Sequence, residues 1–110
     1  MEKTRESDKE FRQGDSGPKY LFRGPHAEWG IILLKPGQNM GVHYHRRVVE
    51  DFFFLQGKPK VIVAGKEERV EPGDAVRANP QEKHDIQNDT TEIVKLVFIK
   101  SPYLPEDKYS

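Results

Sequence analysis

Three histidines and one glutamate are the residues of this chain whose types and spacing suit metal coordination. His43 and His45 stand two apart in the stretch GVHYHRRVVEDFFF, and Glu50 follows five residues later. In a β-strand, residues i and i+2 point to the same face, so the two imidazoles lie side by side. His84 lies far along the chain, just after the Asn79-Pro80 turn. Together these side chains make a set of three imidazoles and one carboxylate, which suits iron, manganese, nickel, zinc or copper.

The backbone between the second histidine and the glutamate must depart from a regular strand. Strict alternation would place Glu50 on the face opposite to His45, because the two residues are five positions apart. Residues 46–49 contain no glycine or proline, so we expect a β-bulge to turn the chain there. Beyond the glutamate, Phe52 and Phe54 share its side of the strand, where an apolar wall would lower solvent access to a metal.

Short β-strands separated by regular turns are expected to position these residues. From residue 18 onward, β-branched and aromatic runs alternate with turn signals such as Lys35-Pro36-Gly37 and Glu71-Pro72-Gly73-Asp74. Prolines interrupt nearly every window that is long enough for a helix. The predicted strands are 19–23, 28–35, 40–45, 50–55, 60–64, 67–70, 75–78, 84–87 and 92–100. Strands with this spacing predict an all-β sandwich or barrel.

Composition limits the classes of protein to which the chain can belong. Its 110 residues fit one domain, and a formal net charge of zero argues against nucleic-acid binding. The absence of cysteine rules out disulfides and thiol chemistry and suits a reducing compartment, so we expect a cytoplasmic protein. No apolar run approaches the ~20 residues of a membrane helix. The polar N-terminus does not resemble a secretory signal, so we expect no membrane contact.

Three segments are predicted along the chain. Residues 1–17 are dense in charge and are predicted to form a flexible or loosely docked N-terminal tail, with a short helix as the alternative. Residues 18–102 are predicted to form the folded domain. Residues 103–110 follow a proline and contain another, and they are predicted to form an extended C-terminal arm.

The glycines around the first cluster give the pattern a resemblance to a known family. Gly37, His43, His45, Glu50 and Gly57 match the first motif of the cupin superfamily, G-x5-H-x-H-x3,4-E-x6-G, at every position. This motif is specific because it constrains both the ligand residues and the glycines that flank them.

A second cupin motif, G-x5-P-x-G-x2-H-x3-N, resembles the region around the last histidine. Gly73 opens it, and His84 and Asn88 occupy its histidine and asparagine positions. Asn79 and Gln81 stand where the family pattern has proline and glycine, and Pro80 is displaced by one residue. These departures concern the turn before the histidine.

The resemblance covers roughly residues 20–100 and implies the fold of a small single-domain type-2 cupin. That fold is a double-stranded β-helix, or jelly-roll barrel. By resemblance, His43, His45, Glu50 and His84 would bind one divalent metal inside the barrel, with open coordination positions towards its mouth. Family habit and the aromatic strand faces also imply a homodimer.

Further side chains are candidates to line the cavity: Gln38, Met40, Phe52, Phe54, Arg77 and Lys95. Gln38 and Met40 precede the histidine pair. Lys95 shares a strand face with Val97, where it either snorkels at an edge or faces a polar cavity. Asn88 is expected to tie down the turn after its strand.

Three functions remain open from the sequence, because this fold hosts many chemistries. The first, favoured if the protein is an enzyme, is a dioxygenase-like metal-dependent oxygenase acting on a small oxygen-rich or anionic substrate. The second is a sugar or sugar-phosphate isomerase or epimerase, which the stretch HYHRR with its following glutamate resembles; Glu50 would then be general base as well as ligand. The third is a non-enzymatic cupin that binds a small ligand or acts as a sensor.

Overall fold

Antiparallel strands make up almost all of the regular structure in the computed structural model, which describes all 110 residues. The strands are β1 (Gly17–Arg23), β2 (Glu28–Leu34), β3 (Val49–Gln56), β4 (Lys60–Val63), β5 (Lys66–Arg69), β6 (Ala75–Ala78), β7 (His84–Gln87) and β8 (Val94–Ser101). The only helix is a 3-10 turn at Glu6–Asp8, and no helix reaches the length and hydrophobicity that a membrane span requires. Eight of the nine predicted strands form, and the all-β prediction is confirmed.

The strands form two sheets that enclose one core. The larger sheet has the order β1-β2-β8-β3-β6, and the smaller has the order β5-β4-β7. Every pairing is antiparallel, and non-consecutive neighbours such as β2 and β8 bring distant parts of the chain together. Two antiparallel sheets that pack face to face with such connections are typical of a jelly roll.

Alternation along each strand sends one set of side chains into the space between the sheets. On β3, Phe52 and Phe54 are buried, whereas Phe53 between them is 43% exposed on the outer face. The core consists of Ile32, Leu34, Phe52, Phe54, Val61, Val70, Ala78, Ile86, Val94, Leu96 and Phe98. Both sheets contribute to it, so the apolar area removed from water holds them together.

Two glycines of the first cupin-like motif occupy backbone positions that other residues reach only with strain. Gly37 has a φ of 85° and Gly57 a φ of 83°, in the left-handed region that glycine enters without steric cost. At Gly57 an added Cβ would also lie 2.6 Å from the carbonyl oxygen of Ile93. These glycines bracket the segment that carries three of the candidate ligands.

Both ends of the chain lie against the sheets. Glu6, in the segment predicted as a tail, contacts two strands. Its backbone oxygen accepts a hydrogen bond of 2.9 Å from the Lys19 ammonium of β1, and its carboxylate lies 2.7 Å from the Lys95 ammonium of β8. At the other end, Tyr109 and Tyr44 exchange backbone hydrogen bonds of 2.9 and 3.0 Å. Residues 1–17 and 103–110 thus contact the folded part, while the exact domain limits stay a prediction.

The strand predicted at 40–45 does not form. In this stretch the backbone makes isolated bridges only, between His43 and His84 and between Tyr44 and Tyr109. Each bridge ties the segment to a different partner, so no continuous ladder develops along it. The two histidines nevertheless keep the alternation that the strand pattern predicts, since both are buried and Tyr44 points away from them.

The β-bulge expected between His45 and Glu50 is also absent. The chain bends at Arg46 and Arg47 instead, and β3 begins at Val49. The physical reason lies in the C-terminal arm. The Asp107 carboxylate accepts the backbone N–H groups of residues 46, 47 and 48 over 2.9, 2.8 and 2.9 Å, and so caps the bend.

Candidate metal centre

Four side chains converge in the interior of the barrel. One ligand atom from each of His43, His45, Glu50 and His84 lies within 4.8 Å of all the others. The Nε2 atoms of the three imidazoles lie 3.3, 2.8 and 3.1 Å from the same oxygen, Oε1 of Glu50. All four residues are buried. The structure thus brings together the whole set of predicted ligands.

Different parts of the fold position these side chains. Glu50 is the second residue of β3 and His84 the first residue of β7, in the opposite sheet. The backbones of His43 and His84 exchange hydrogen bonds of 3.1 and 2.9 Å. Because this pairing joins the loop before β3 to β7, it fixes the separation of the two backbone positions that carry these imidazoles.

Backbone carbonyls orient all three imidazole rings. Nδ1 of His43 donates to the carbonyl of Gly41 and Nδ1 of His84 to that of Glu82, each over 2.9 Å. Nδ1 of His45 donates to the carbonyl of Asp107. A carbonyl only accepts hydrogen bonds, so each Nδ1 carries the proton. In a neutral ring the lone pair therefore sits on Nε2 and points to the centre of the cluster, as metal coordination requires.

A buried aspartate supports one of these contacts from behind. The carboxylate of Asp85 accepts the backbone N–H of Gly41 over 2.8 Å, and the carbonyl of Gly41 holds His43. Asp85 is 3% exposed. Sequence reasoning missed it, and only its position next to His84 hinted at such a role.

The pKa values of Glu50 and His45 depend on two opposing effects, burial and hydrogen bonding within the cluster. Burial raises the pKa of Glu50, but hydrogen bonds with His43, His45 and His84 outweigh it and hold the pKa well below its ordinary value. Burial lowers the pKa of His45, but the contacts with Glu50 and with the Asp107 carbonyl raise it above its ordinary value in total. Glu50 is therefore ionised, and a positive charge facing it is favoured.

The donor set fits a divalent transition metal. Three imidazole nitrogens and one carboxylate oxygen match the ligand types that zinc, iron, manganese, nickel and copper accept. A buried carboxylate that faces three imidazoles needs a compensating positive charge, either protons on the rings or one cation between them. His43, His45, Glu50 and His84 are the residues that could hold such an ion.

A cavity of about 470 Å³ opens beside the cluster, within the range of small-molecule sites. His43 and Glu50 form part of its wall, and so do two of the predicted pocket residues, Gln38 and Met40. Gln38 is held in place because its amide nitrogen donates to the Ser16 hydroxyl over 3.1 Å. The apolar part of the wall comes from Pro18, Ile32, Leu34, Met40, Phe98 and Pro105.

The structure places the other four pocket candidates elsewhere. Phe54 lies in the core, and Phe52 lies in the core with its ring centroid 5.8 Å from that of His84. Arg77 is on the outer face, where its guanidinium forms a bidentate pair with Asp51 at 2.7 and 2.9 Å. Lys95 also points outwards, to Glu6. None of the four lines the cavity; Lys95 does not because it stands on the outward face of β8.

The cavity contains basic and phenolic side chains that sequence reasoning missed. They are Arg12, Tyr20, Arg23, Lys100 and Lys108. A signal for Lys100 existed, because it continues the alternation of the buried Val94, Leu96 and Phe98 along β8. Nothing local marked Arg12 or Lys108, since they reach the cavity from the two chain ends.

Comparison with known proteins identifies a family. Residues 30–100 match the sequence profile of the cupin domain. The chain is 32% identical over 76 residues to the tetracenomycin polyketide synthase protein TcmJ of Streptomyces glaucescens. That match covers 69% of this chain and 51% of TcmJ, so the chain spans about half the length of this curated relative.

Solved structures share the fold. An RmlC-like cupin from Shewanella frigidimarina superimposes with a TM-score of 0.82 at 22% identity, over 97% of this chain and 95% of that one. A putative sugar phosphate isomerase from Acidithiobacillus ferrooxidans superimposes with a TM-score of 0.66 at 26% identity, over 70% of this chain and 51% of that one. The first of these likenesses extends over nearly the whole chain and agrees with a single-domain jelly roll.

Proposed function

Because the chain belongs to the cupin family, we propose that it binds one divalent transition metal through His43, His45, Glu50 and His84 and uses it on a small oxygen-rich or anionic molecule. The observation that carries the proposal is the convergence of three Nε2 atoms on Oε1 of Glu50. Their Nδ1 atoms are all engaged by backbone carbonyls, which leaves Nε2 for coordination.

The charge of the site determines what it would attract. When bound, a divalent ion would supply Lewis acidity, or a binding place for dioxygen if it is redox-active. Glu50 cancels only one of its two charges, so the site stays positive and favours an anionic or enolisable oxygen ligand. The apolar side chains of Ile32, Leu34 and Phe98 on the cavity wall would exclude water from a reacting ligand.

A dioxygenase-like oxygenase is the first candidate activity. The mixed wall supports it, because an apolar surface beside an open metal position suits dioxygen while the polar wall orients the substrate. In this reading Glu50 acts as a ligand, and the chain positions the substrate without a separate protein base.

Sugar or sugar-phosphate isomerisation is the second candidate activity. It is favoured by the likeness to the putative sugar phosphate isomerase and by the basic side chains in the cavity. It would need a general base, and Glu50 is the only acidic residue on the cavity wall. Ligand binding or sensing without catalysis is the third candidate, which the same metal site would serve.

Metal analysis of the untagged protein tests the proposal. We expect about one equivalent of a single transition metal in the wild type and none in the double variant His43→Ala/His84→Ala. His26→Ala is the matched control, because His26 is exposed and lies outside the cluster. A wild-type protein that neither contains a metal nor takes one up from solution would overturn the proposal. Oxygen consumption and sugar-phosphate isomerisation assays of the loaded protein then separate the candidate activities.

Assembly as a homodimer is a further part of the proposal. Trp29, Phe53 and Ile99 are 36%, 43% and 41% exposed on the outer face of the larger sheet, where Trp29 pairs with Ile99 and Phe53 with Val97. In a two-fold symmetric dimer, this exposed apolar patch of one subunit would pack against the same patch of the other. Light scattering should show a dimer that Phe53→Lys converts to a monomer; a monomeric wild type would contradict this part. The cytoplasmic location stays a prediction.

A further inference from the structure

The cavity beside the candidate metal centre also contains a cluster of basic side chains, Arg12, Arg23, Lys100 and Lys108. We propose that this cluster is a binding site for an anionic group of the ligand, a carboxylate or a phosphate, separate from the oxygens that would reach the metal. The inference rests on the proposed function for the identity of the ligand, but the anion site itself is made of other residues.

Lys100 is the most firmly held member of the cluster. It stands on the inward face of β8, and its ammonium donates to the hydroxyl of Tyr20 over 2.8 Å. Its side chain is 16% exposed. Lys100 lines the same cavity as His43 and Glu50, two of the candidate metal ligands. Lys100 therefore presents a fixed positive charge to the cavity that the candidate ligands also line.

A buried carboxylate organises Arg23 and Lys100. Oε1 of Glu28 lies 3.1 Å from the Arg23 guanidinium and 3.7 Å from the Lys100 ammonium. Glu28 is 1% exposed, and its Oε1 receives no hydrogen bond of good geometry. The Arg23 guanidinium also lies over the Tyr20 ring, 4.1 Å from its centroid. These contacts hold both cations without using all of their donors, since Lys has three and Arg five.

The two chain ends bring the other cations to the mouth. Arg12 and Lys108 line the same cavity as Arg23 and Lys100. Partial burial and the charges of Arg12 and Lys100 lower the pKa of Lys108, while Glu50 opposes the shift. The four cations of the cluster are accompanied by two carboxylates, Glu50 on the cavity wall and Glu28 behind Arg23 and Lys100. This leaves an excess of two positive charges, before any metal ion is counted. Like charges that line one cavity repel one another, and a bound anion would reduce this repulsion.

The ligand class follows from this arrangement. A molecule that fills the cavity would offer oxygen ligands to the metal at one point and a carboxylate or phosphate to the basic cluster at another. Charge-assisted hydrogen bonds from Arg and Lys to such groups are stronger than neutral ones. A neutral sugar or an apolar aromatic compound would leave the excess of positive charge in the cavity without compensation.

Anion binding by the metal-free protein tests the inference. Calorimetric titration with inorganic phosphate, and separately with succinate, tells a phosphate site from a carboxylate site. We expect one saturable site for at least one of them in the wild type, weakened at least about tenfold in Lys100→Met. Arg77→Met is the matched control, because it removes one positive charge from the outer face, and we expect it to change the affinity less than about twofold.

The Lys100→Met variant removes a partner of the buried Glu28 and could therefore fail to fold, so a second variant is included. Lys108→Met affects an exposed residue of the C-terminal arm and should also weaken anion binding. No saturable binding of either anion by the wild type, or equal losses in Lys108→Met and Arg77→Met, would overturn the inference. Metal uptake, measured on the same samples, depends on other residues, so failure of the metal proposal remains distinguishable from failure of the anion site.

Discussion

The backbone carbonyl of Asp107 accepts a hydrogen bond from Nδ1 of His45, although 62 residues separate them in the chain. The carboxylate of the same aspartate caps the bend that follows His45. One residue of the C-terminal arm therefore fixes both the ring orientation of a candidate metal ligand and the path of the chain towards Glu50. The C-terminal arm is therefore part of the structure that positions the candidate metal ligands.

Asp107→Ala is expected to weaken metal binding about 10–100-fold, the usual effect of losing a group that orients a ligand. Without the carboxylate, the bend at Arg46 and Arg47 loses three hydrogen bonds. The backbone carbonyl of Asp107, which the variant keeps, is then held less firmly against Nδ1 of His45. Competition with a chelator of known affinity measures the change. Glu106→Ala is the control, because this exposed neighbour makes no side-chain contact with the bend. Equal affinities in the two variants would show that the Asp107 carboxylate does not help to position His45.

Metal affinity is expected to rise with pH. Burial lowers the pKa of His45, but Glu50 and the Asp107 carbonyl raise it by more, so the pKa lies above its ordinary value of 6.5. Below that raised pKa a proton must leave before Nε2 can bind, so affinity falls as the pH drops, about tenfold per unit for one proton. Above it, this group no longer affects affinity.

Calorimetry in two buffers of different ionisation enthalpy measures the protons released on metal binding. Release should be clear near about pH 6 and should vanish near about pH 9, where imidazoles are neutral. Metal binding that releases no proton at the lower pH would mean that His45 is already neutral there.

The two faces of β3 are expected to differ sharply in their contribution to stability. Phe54 is fully buried, and Phe54→Ala should lower the free energy of unfolding by about 3–5 kcal/mol. Phe53 is 43% exposed, and Phe53→Ala should cost less than about 1 kcal/mol. Urea denaturation of both variants gives the comparison. Similar losses would place Phe53 in a buried environment that this fold does not provide.

Asn88→Ala is expected to destabilise the turn between β7 and β8. Its amide donates to the carbonyls of Leu34 and Glu92 over 2.9 and 2.8 Å, and its oxygen accepts from the Thr90 hydroxyl over 2.6 Å. Because the asparagine is fully buried, the carbonyl partners would lose their donors at a cost of about 1–3 kcal/mol.

Asn79→Ala, at an exposed turn position, is the control for this variant and should change stability by less than about 0.5 kcal/mol. Thermal unfolding of both proteins decides the matter. A fully stable Asn88→Ala would mean that the turn needs no side-chain support, contrary to the role predicted for this residue.

The all-β class and eight strands could be predicted from the sequence because their signals are local, and the four residues of the candidate metal cluster could be predicted from the resemblance to the cupin motifs. Strand alternation, proline and glycine turns and the spacing of His43 and His45 each depend on neighbours within a few residues. The buried Phe52 and Phe54 followed from the same alternation. The need for a bend before Glu50 could also be predicted, because His45 and Glu50 are five residues apart and a regular strand would place them on opposite faces.

Tertiary structure alone decided how that bend is made and what surrounds the cluster. The Asp107 carboxylate caps the bend in place of the expected bulge. Alternation shows that Lys95 and Lys100 stand on opposite faces of β8, but only strand register in the sheet determines that the face of Lys100 turns inwards. Arg12 and Lys108 reach the same cavity from opposite ends of the chain. No short-range pattern encodes such contacts, since they arise only when the sheets close and bring distant residues within hydrogen-bonding distance.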